Sequence, residues 1–343
     1  MNSARPARST RLARPLGPGA SAASAASTAS AASTASTAGK APSRRTLLSL
    51  GTAGAAGALL ASTAGPARAA ARTPGPGSAS VALRELERVH GARVGAFAYN
   101  LATGATVRHR ADELFPVLST FKTLAAAAVL RDLDRDGEVL GRLVRYTKAD
   151  CVVDSPITDT PGHIASGLTV AQLCDAAICD SDNTAGNLLL RELGGPGAIT
   201  RFSRSIGDPT TRLDRWEPEL NSAEPGRRTD TTTPAAIARD YARLVLGDVL
   251  EPGDRERLTG WLLNCRTSGT RFRLGLPPEW TVADKTGGGS YGSCNDVGIA
   301  WTPDGTPVVL AVLTTKPDGD AGAAGDHPLV AGVAGVLAAE VVS

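Results

Sequence analysis

The chain has 343 residues, of which 42% are hydrophobic, so it is long enough to bury one large core or two modest ones. Its formal net charge is +2, but the first 69 residues contain no acid and carry +8, which leaves −6 for the rest. A mildly acidic body argues against a nucleic-acid-binding protein, for which a basic face is expected. The basic residues of the first segment are Arg5, Arg8, Arg11, Arg14, Lys40, Arg44, Arg45 and Arg68.

Residues 1–74 have the composition of a targeting segment. Residues 21–39 are almost entirely Ala, Ser and Thr, which predicts disorder. The pair Arg44-Arg45 then precedes a weakly apolar run of roughly fifteen residues and the Ala-Arg-Ala site at 67–69, as in a twin-arginine signal peptide. The run is too short to span a membrane, so we predict export without a lasting membrane anchor. The alternative is a disordered tail in which the two arginines are adjacent by chance.

The cysteines predict neither a metal site nor a disulfide framework. They are odd in number, include no Cys-x-x-Cys pair, and have no histidine partners at zinc spacing. None lies close to residue 69, which argues against a lipid-anchored cysteine at the mature N-terminus. The five are Cys151, Cys174, Cys179, Cys265 and Cys294.

Hydrophobic periodicity predicts an α+β fold with two lobes. Strand patterns occur near both ends of the remaining chain and helical patterns lie between them. We expect an α/β lobe from residues 75–110 and 273–343, with a central antiparallel sheet flanked by N- and C-terminal helices, and an all-α lobe from residues 111–272. The predicted helices are 80–89, 169–178, 233–247 and 328–342, and the predicted strands are 93–100, 106–110, 297–301 and 308–314.

Ser119 and Lys122 form the first candidate catalytic group. They precede an Ala-rich apolar run that predicts a buried helix, and residues three apart share a helix face. The Lys122 amine would therefore lie beside the Ser119 hydroxyl, which is a poor nucleophile until a base is near it. Ser119 would also stand at the helix N-terminus, where a developing anion is favoured. The alternative is an exposed Ser/Lys pair on a helix.

Two further motifs carry polar groups at the ends of predicted elements. Ser181-Asp182-Asn183 separates two helices, and all three residue types also cap helices well. Lys285-Thr286-Gly287 belongs to a predicted strand that continues into two more glycines, which would let a ligand approach the backbone closely. The alternatives are a simple helix cap and an ordinary Gly-rich turn.

A long, poorly periodic segment, residues 208–233, contains Glu217. Such a loop inside a compact lobe is usually functional and needs internal ties, for which we expect Arg215 to pair with Asp230. The alternative is a solvated acidic loop. Each motif is modest by itself, but four of them in this order are improbable as coincidence.

The four motifs together resemble the signature of the class A serine β-lactamases. They are Ser119-Thr120-Phe121-Lys122, Ser181-Asp182-Asn183, Arg215-Trp216-Glu217-Pro218-Glu219-Leu220-Asn221 and Lys285-Thr286-Gly287. The resemblance covers the chain from about residue 82 to 339. It implies an exported serine hydrolase with its site between an all-α and an α/β lobe, which opens small-molecule β-lactams as a monomer and without a cofactor.

The resemblance also implies the role of each site residue. Ser119 is the nucleophile, and its N–H forms an oxyanion hole with that of Gly288. Either Lys122 or Glu217, acting through a water, removes the hydroxyl proton, and Ser181 relays a proton to the leaving nitrogen. Glu217 then activates the water that hydrolyses the acyl-enzyme. The residues implied in substrate binding are Asn183, Asn221, Lys285, Thr286, Gly287 and Arg271.

Glu217 favours the hydrolase over a cell-wall D-Ala-D-Ala peptidase, which shares the other three motifs but keeps its acyl-enzyme because it lacks an acid positioned to activate water. A β-lactam-binding sensor would bind the substrate and stay acylated. Both remain as alternatives to the β-lactamase.

This sequence departs from the family pattern at several positions. Asp154 stands where the family usually has an aromatic residue at the site entrance, so we expect weaker apolar contact with the substrate. Cys294 replaces an arginine found in many members, and Arg271 resembles the alternative source of that guanidinium. Cys294 is then expected to serve as a small residue or a free thiol near the cleft.

Two family disulfides are expected to be absent. The pair of positions bridged in carbapenem-hydrolysing members is occupied by Leu118 and Gly289. Cys174 matches half of another bridge, but its partner position is Ala126.

Overall fold

The computed structural model describes residues 78–343, so the predicted leader and signal peptide lie outside the described residues. The strands are β1 (Arg93–Asn100), β2 (Thr106–His109), β3 (Phe115–Pro116), β4 (Leu143–Val144), β5 (Leu168–Thr169), β6 (Thr231–Thr232), β7 (Thr281–Gly288), β8 (Cys294–Trp301) and β9 (Pro307–Thr315). The helices are α1 (Ser78–His90), α2 (Phe121–Ala128), α3 (Pro161–Ser166), α4 (Val170–Cys179), α5 (Asn183–Glu192), α6 (Gly197–Ser205), α7 (Pro234–Val245), α8 (Pro252–Leu263), α9 (Phe272–Gly275) and α10 (His327–Val341).

The central sheet joins strands from the two ends of the described chain. Its order is β2-β1-β9-β8-β7, and every neighbouring pair is antiparallel. The hairpin β1–β2 therefore pairs with β9, about two hundred residues later in the chain, through the full length of β1. This arrangement confirms the predicted α+β fold with a central antiparallel sheet.

The two faces of the sheet contribute to two different cores, because successive strand side chains point to opposite faces. On β9, the side chains of Val308, Leu310 and Val312 are buried with Leu329 and Val333 of α10. The intervening side chains join the core of the helical region. Burying each such side chain contributes about 1.5–3 kcal/mol. The alternation therefore fixes one face of the sheet against α1, α9 and α10, and the other face against the helical region.

The helical region is built around α2. Its four alanines, residues 125–128, are almost fully buried, and the small side chains let α4, α5 and α6 approach closely. Beyond Ala128 the helix continues to Leu133 as a single wider turn of π type. The two cores agree with two lobes, whose boundaries at residues 110/111 and 272/273 stay a prediction.

Local sequence signals account for several helix ends. Thr169 caps α4 and forms a reciprocal capping box with Gln172, as its spacing predicts. Thr233 caps α7, and Pro234 is its first residue. Among residues 78–343, no helix is long and apolar enough to cross a membrane.

All five cysteines are free thiols, which confirms that Cys174 is unpaired. Cys294 is fully buried on β8, and burial raises the pKa of its thiol to about 11. At neutral pH it is therefore a neutral, small core residue.

Candidate active site

Ser119 lies in a 3-10 turn, Leu118–Thr120, that leads directly into α2. The preceding residue, Leu118, has φ +51°, a conformation that is costly for a branched side chain and concentrates at functional sites. A hydrogen bond from α7 holds the turn in place, because the Tyr241 hydroxyl donates to the Thr120 carbonyl at 2.9 Å. Ser119 is thereby presented at the start of the helix and is only 5% exposed.

Lys122 lies one helical turn from Ser119 and has no exposed surface. Its Nζ is 3.1 Å from Ser119 Oγ and donates at 2.7 Å both to the Ser181 carbonyl and to Asn183 Oδ1. Burial lowers the pKa of Lys122, although Glu217, with Nζ to Oε1 at 3.1 Å, acts in the opposite direction. A buried amine with a lowered pKa is a plausible proton acceptor next to a hydroxyl.

Glu217 extends from the long loop, residues 208–233, to the Ser119 hydroxyl. Its Oε1 lies 3.3 Å from Ser119 Oγ, and its Oε2 accepts a hydrogen bond from Asn221 Nδ2. The Glu217 side chain has no exposed surface. Serine, lysine and carboxylate thus converge on one small volume, although they come from two segments about a hundred residues apart.

Two sets of contacts hold the loop that carries Glu217. Arg215 Nε donates to Asp230 Oδ2 at 2.6 Å, which is the tie expected from the sequence. The side-chain amide of Asn187 bonds both the N–H and the carbonyl of Glu217, each at 2.9 Å. Asn187 is not among the residues predicted from the sequence, although it lies four residues after Asn183 and therefore on the same face of α5.

The Ser181-Asp182-Asn183 segment combines the capping role with a place at the site. Asp182 caps α5 through Ala185 N–H and also accepts from the N–H groups of Ile157 and Thr158. This carboxylate therefore fixes the segment while its two neighbours face Lys122. Ser181 has φ +60°, and its hydroxyl is directed to the opposite wall of the cleft.

That opposite wall is β7, whose end carries Lys285, Thr286 and Gly287. Lys285 Nζ donates at 2.9 Å to Ser181 Oγ. Burial, together with the positive charges of Lys122 and Arg271, lowers the pKa of Lys285 to about 8. A Cβ on Gly287 would lie 2.8 Å from that of Leu118, so glycine is what lets β7 approach the nucleophile turn.

Arg271 lies beneath this strand and is 7% exposed. Its Nη1 donates to the carbonyls of Gly287 at 2.8 Å and Asn295 at 2.7 Å. Its Nη2 meets Nε2 of His327 at 3.1 Å. No carboxylate pairs with Arg271 among the described residues, so its charge is available to an anion in the cleft.

These groups surround a cavity of about 680 Å³ between the helices and the sheet. Asp154 is exposed at its rim, next to Pro156. The structure therefore brings all eleven predicted site residues to one cleft, with Lys122, Glu217, Lys285 and Gly287 directly behind the lining. The predicted residues that line the cavity are Ser119, Ser181, Asn183, Asn221, Arg271, Thr286 and Gly288.

The arrangement suits nucleophilic attack on a carbonyl followed by hydrolysis. A hydroxyl lies between an amine and a carboxylate, and the cationic groups of Lys285 on β7 and of Arg271 beneath it can hold an anionic substrate. Among residues 78–343, no cluster of His, Cys, Asp and Glu side chains has the arrangement of a metal site.

Comparison with known proteins identifies the family. The model of the "Beta-lactamase enzyme family" matches residues 78–334. The chain belongs to this family. Among its relatives, the β-lactamase of Streptomyces fradiae is 62% identical over 284 residues, which are 81% of this chain and 90% of that protein. The β-lactamase of Streptomyces lavendulae is 63% identical over 259 residues, which are 75% and 84% of the two chains.

Solved structures give the class. The β-lactamase of Streptomyces albus G has a TM-score of 0.74 at 59% identity, and the match covers 76% of this chain and 98% of that one. The class A β-lactamase of the last common ancestor of Gram-negative bacteria has a TM-score of 0.72 at 50% identity, and the match covers 76% of this chain and 98% of that one. The chain is therefore a class A β-lactamase and a hydrolase, as its motifs indicate.

Proposed function

We propose that this β-lactamase opens the ring of penicillins and cephalosporins through an acyl-enzyme on Ser119, and that Glu217 activates the water that releases the product. One observation carries the proposal: Ser119 Oγ contacts both Lys122 Nζ, at 3.1 Å, and Glu217 Oε1, at 3.3 Å. The hydroxyl has a proton acceptor on each side, which is the requirement for a serine nucleophile.

In the first half of the reaction, Ser119 Oγ bonds to the β-lactam carbonyl carbon and the ring C–N bond breaks. The hydroxyl proton passes to Lys122, or to Glu217 through a water, and both groups are in reach. Ser181 Oγ bonds Lys285 Nζ at 2.9 Å, and we assign to it the relay of a proton to the leaving nitrogen. The N–H groups of Ser119 and Gly288 donate hydrogen bonds to the carbonyl oxygen as it becomes anionic. Each donor stabilises the transition state by about 3 kcal/mol.

In the second half, water hydrolyses the ester. Glu217 takes a proton from the water as the water oxygen attacks the acyl carbon, and Ser119 Oγ recovers its proton on leaving. Asn221 bonds Oε2 of Glu217, which leaves Oε1 directed at the nucleophile and helps to place the water.

The substrate carboxylate would bind to the cationic wall of the cleft. Lys285, Thr286 and Arg271 lie there with Gly287, and the guanidinium of Arg271 suits a two-oxygen anion better than an ammonium does. Asn183 would bond the side-chain amide of the substrate. Its Oδ1 accepts from Lys122, while its Nδ2 donates to the Val153 carbonyl at 3.0 Å.

We also propose that the enzyme is exported by the twin-arginine route and acts as a monomer, without a cofactor. The support for export is the Arg44-Arg45 pair and the segment that follows it. Replacing both arginines by lysine should move the activity from the medium into the cells of a bacterium that has this pathway. Unchanged activity in the medium would exclude the route. Light scattering on the mature protein tests the monomer.

A chromogenic cephalosporin tests the central proposal. The purified mature chain should turn over many equivalents, and intact-protein mass spectrometry after rapid quenching should find the acyl adduct on Ser119. The Ser119→Ala variant should show neither. A single stoichiometric burst with a lasting adduct would overturn the proposal in favour of the peptidase or the sensor.

A further inference from the structure

His327, the first residue of α10, makes the one side-chain hydrogen bond to the guanidinium of Arg271 found among the described residues. Nε2 of His327 lies 3.1 Å from Nη2 of Arg271. Nδ1 of the same ring lies 2.8 Å from Thr270 Oγ1. A guanidinium can only donate, so Nε2 must be the unprotonated nitrogen of a neutral ring. Nδ1 then carries the proton and donates it to the threonine.

We propose that His327 is a positioning residue for the substrate carboxylate: as a neutral acceptor it aligns the guanidinium of Arg271, and it gives up that alignment when it is protonated. The proposal rests on the function proposed above, in which Arg271 binds the carboxylate. It adds a positioning residue to that site and a dependence of binding on pH.

The partners of Arg271 show why its orientation depends on His327. Nη1 is held by two backbone carbonyls, those of Gly287 and Asn295, which fix one end of the group. Nε is buried and has no partner within the described residues. Among the hydrogen bonds of the described residues, the one to the ring of His327 is therefore the one that holds the Nη2 end of the guanidinium. A rotated guanidinium would offer a carboxylate one hydrogen bond in place of two.

The charges around His327 favour the neutral ring. Burial lowers the pKa of His327, and the charge of Arg271 lowers it further, while Asp326 acts in the opposite direction. Asp326 is already engaged, because its carboxylate pairs with Lys316 and with His90, both at 3.0 Å. The N-terminal end of α10 also disfavours a positive charge on its first residue.

Two further titratable side chains, Asp296 and Cys294, face this region from β8. Burial raises the pKa of Asp296 well above its usual range, and the neighbouring Asp284 raises it further. Burial also raises the pKa of the Cys294 thiol to about 11. Both shifts favour the uncharged form of the group, so burial opposes cancellation of the Arg271 charge from the strand side.

The sign of the pH effect follows from the hydrogen bond. Above the pKa of His327, Nε2 accepts from Arg271 and the guanidinium is aligned. As the pH falls through that value, which is below the usual 6.5, two donors face each other and the alignment is lost. KM for substrates that carry the carboxylate should then rise, while kcat, which depends on Ser119 and Glu217, should not change with it.

Two variants and one substrate pair test the proposal. His327→Leu removes the acceptor and keeps much of the volume, and KM for a penicillin should rise about tenfold at pH 7.5, since a hydrogen bond to a charged group contributes about 1.5 kcal/mol. His327→Gln places an uncharged oxygen near the position of Nε2, so it should restore KM and remove its rise between pH 7 and pH 5. With the penicillin methyl ester, which has no carboxylate, His327→Leu should match the wild type.

The outcomes separate the possible failures. If KM of His327→Leu equals that of the wild type, or rises equally for acid and ester, the positioning role is wrong. If His327→Leu does not fold, the pH dependence of His327→Gln decides, and an acid-side rise identical to the wild type overturns the proposal. If the wild type itself gives no repeated turnover, the proposed function has failed, and the inference with it.

Discussion

Ser119 Oγ lies 3.3 Å from Glu217 Oε1, within direct hydrogen-bonding reach of the acid that we assign to deacylation. In the free enzyme the hydroxyl can donate to this oxygen. Once acylated, Ser119 Oγ is an ester oxygen and has no proton to donate. Glu217 Oε1 then needs a new donor, and a water beside the ester supplies it. In the free enzyme, Glu217 Oε1 is therefore occupied by the Ser119 hydroxyl. Acylation removes that donor and leaves the carboxylate free to bind and activate the hydrolytic water.

Glu217→Gln should stop the reaction at the acyl-enzyme. Glutamine keeps the hydrogen bond to Asn221 but cannot accept a proton from water, so kcat should fall by about 10²–10⁴-fold, as expected for loss of a general base. Mass spectrometry should find the adduct accumulating on Ser119. Glu219→Gln is the matched control, because Glu219 is an exposed acid on the same loop. An equal loss in the control, or no adduct in the test variant, would contradict the role of Glu217.

The site residues that could be predicted from the sequence are those whose partners lie in the same motif or the same loop. Ser119 and Lys122 could be paired from helical spacing, and Arg215 with Asp230 from the need to tie a long loop. His327 and Asn187 could not be predicted in this way, because their partners, Arg271 and Glu217, lie in distant segments of the chain. In the sequence, His327 is an ordinary polar residue near a helix start, and Asn187 is one on a helix face. The sequence also did not predict the positive φ of Leu118, because branched apolar residues rarely adopt that conformation.

Lys285 should give the enzyme an alkaline limit for carboxylate-bearing substrates. Its pKa is lowered to about 8, so its charge is present below that pH and is lost as the pH rises through it. We expect kcat/KM to fall above pH 8, because this ratio reports groups of the free enzyme. Lys285→Arg keeps a charge that does not titrate in this range, and its profile should stay flat to pH 10. An alkaline limb that is unchanged in Lys285→Arg would assign it to another group.

The tie between Arg215 and Asp230 should support both stability and rate. Asp230 is 1% exposed, so Arg215→Met leaves a buried carboxylate unpaired, at a cost of about 3 kcal/mol. The free energy of unfolding from urea titration measures this loss, and kcat should also fall as Glu217 is displaced. The control is Arg212→Met, whose partner Asp214 is more exposed, and which should cost less than about 1 kcal/mol. If the two variants lose equal free energy of unfolding, the buried Arg215–Asp230 pair contributes no more to stability than the exposed Arg212–Asp214 pair.

Asp154→Tyr should restore apolar contact at the rim of the cleft and lower KM for penicillins with an aromatic side chain by about 2–5-fold, the effect of a small gain in apolar contact. The backbone opposes the change, because Asp154 has φ +57°, which aspartate tolerates better than tyrosine. We therefore expect a lower melting temperature together with the lower KM. Asp154→Asn keeps the backbone preference and removes only the charge. If it lowers KM as much as tyrosine does, the charge is responsible and the ring is not.

Asp240 and Asp208 form a buried acidic pair that should make the enzyme less stable as the pH rises. Burial and, after it, the charge of Asp208 raise the pKa of Asp240 to about 9, although Arg243 acts in the opposite direction. Asp208 accepts hydrogen bonds from the N–H groups of Thr210 and Thr211 and stays ionised, so the proton of the pair resides on Asp240.

The sign follows from proton linkage. The folded protein keeps the proton of Asp240 up to pH 9, whereas the unfolded chain releases it near pH 4, so the folded state binds one more proton between these values. The free energy of unfolding should fall with rising pH by at most about 1.4 kcal/mol per unit on account of this group. Asp240→Asn can donate to Asp208 as the protonated acid does, yet it does not titrate. Its stability should therefore exceed that of the wild type by a margin that grows from pH 6 to pH 9, and parallel pH profiles for the two proteins would show that the pair does not share a proton.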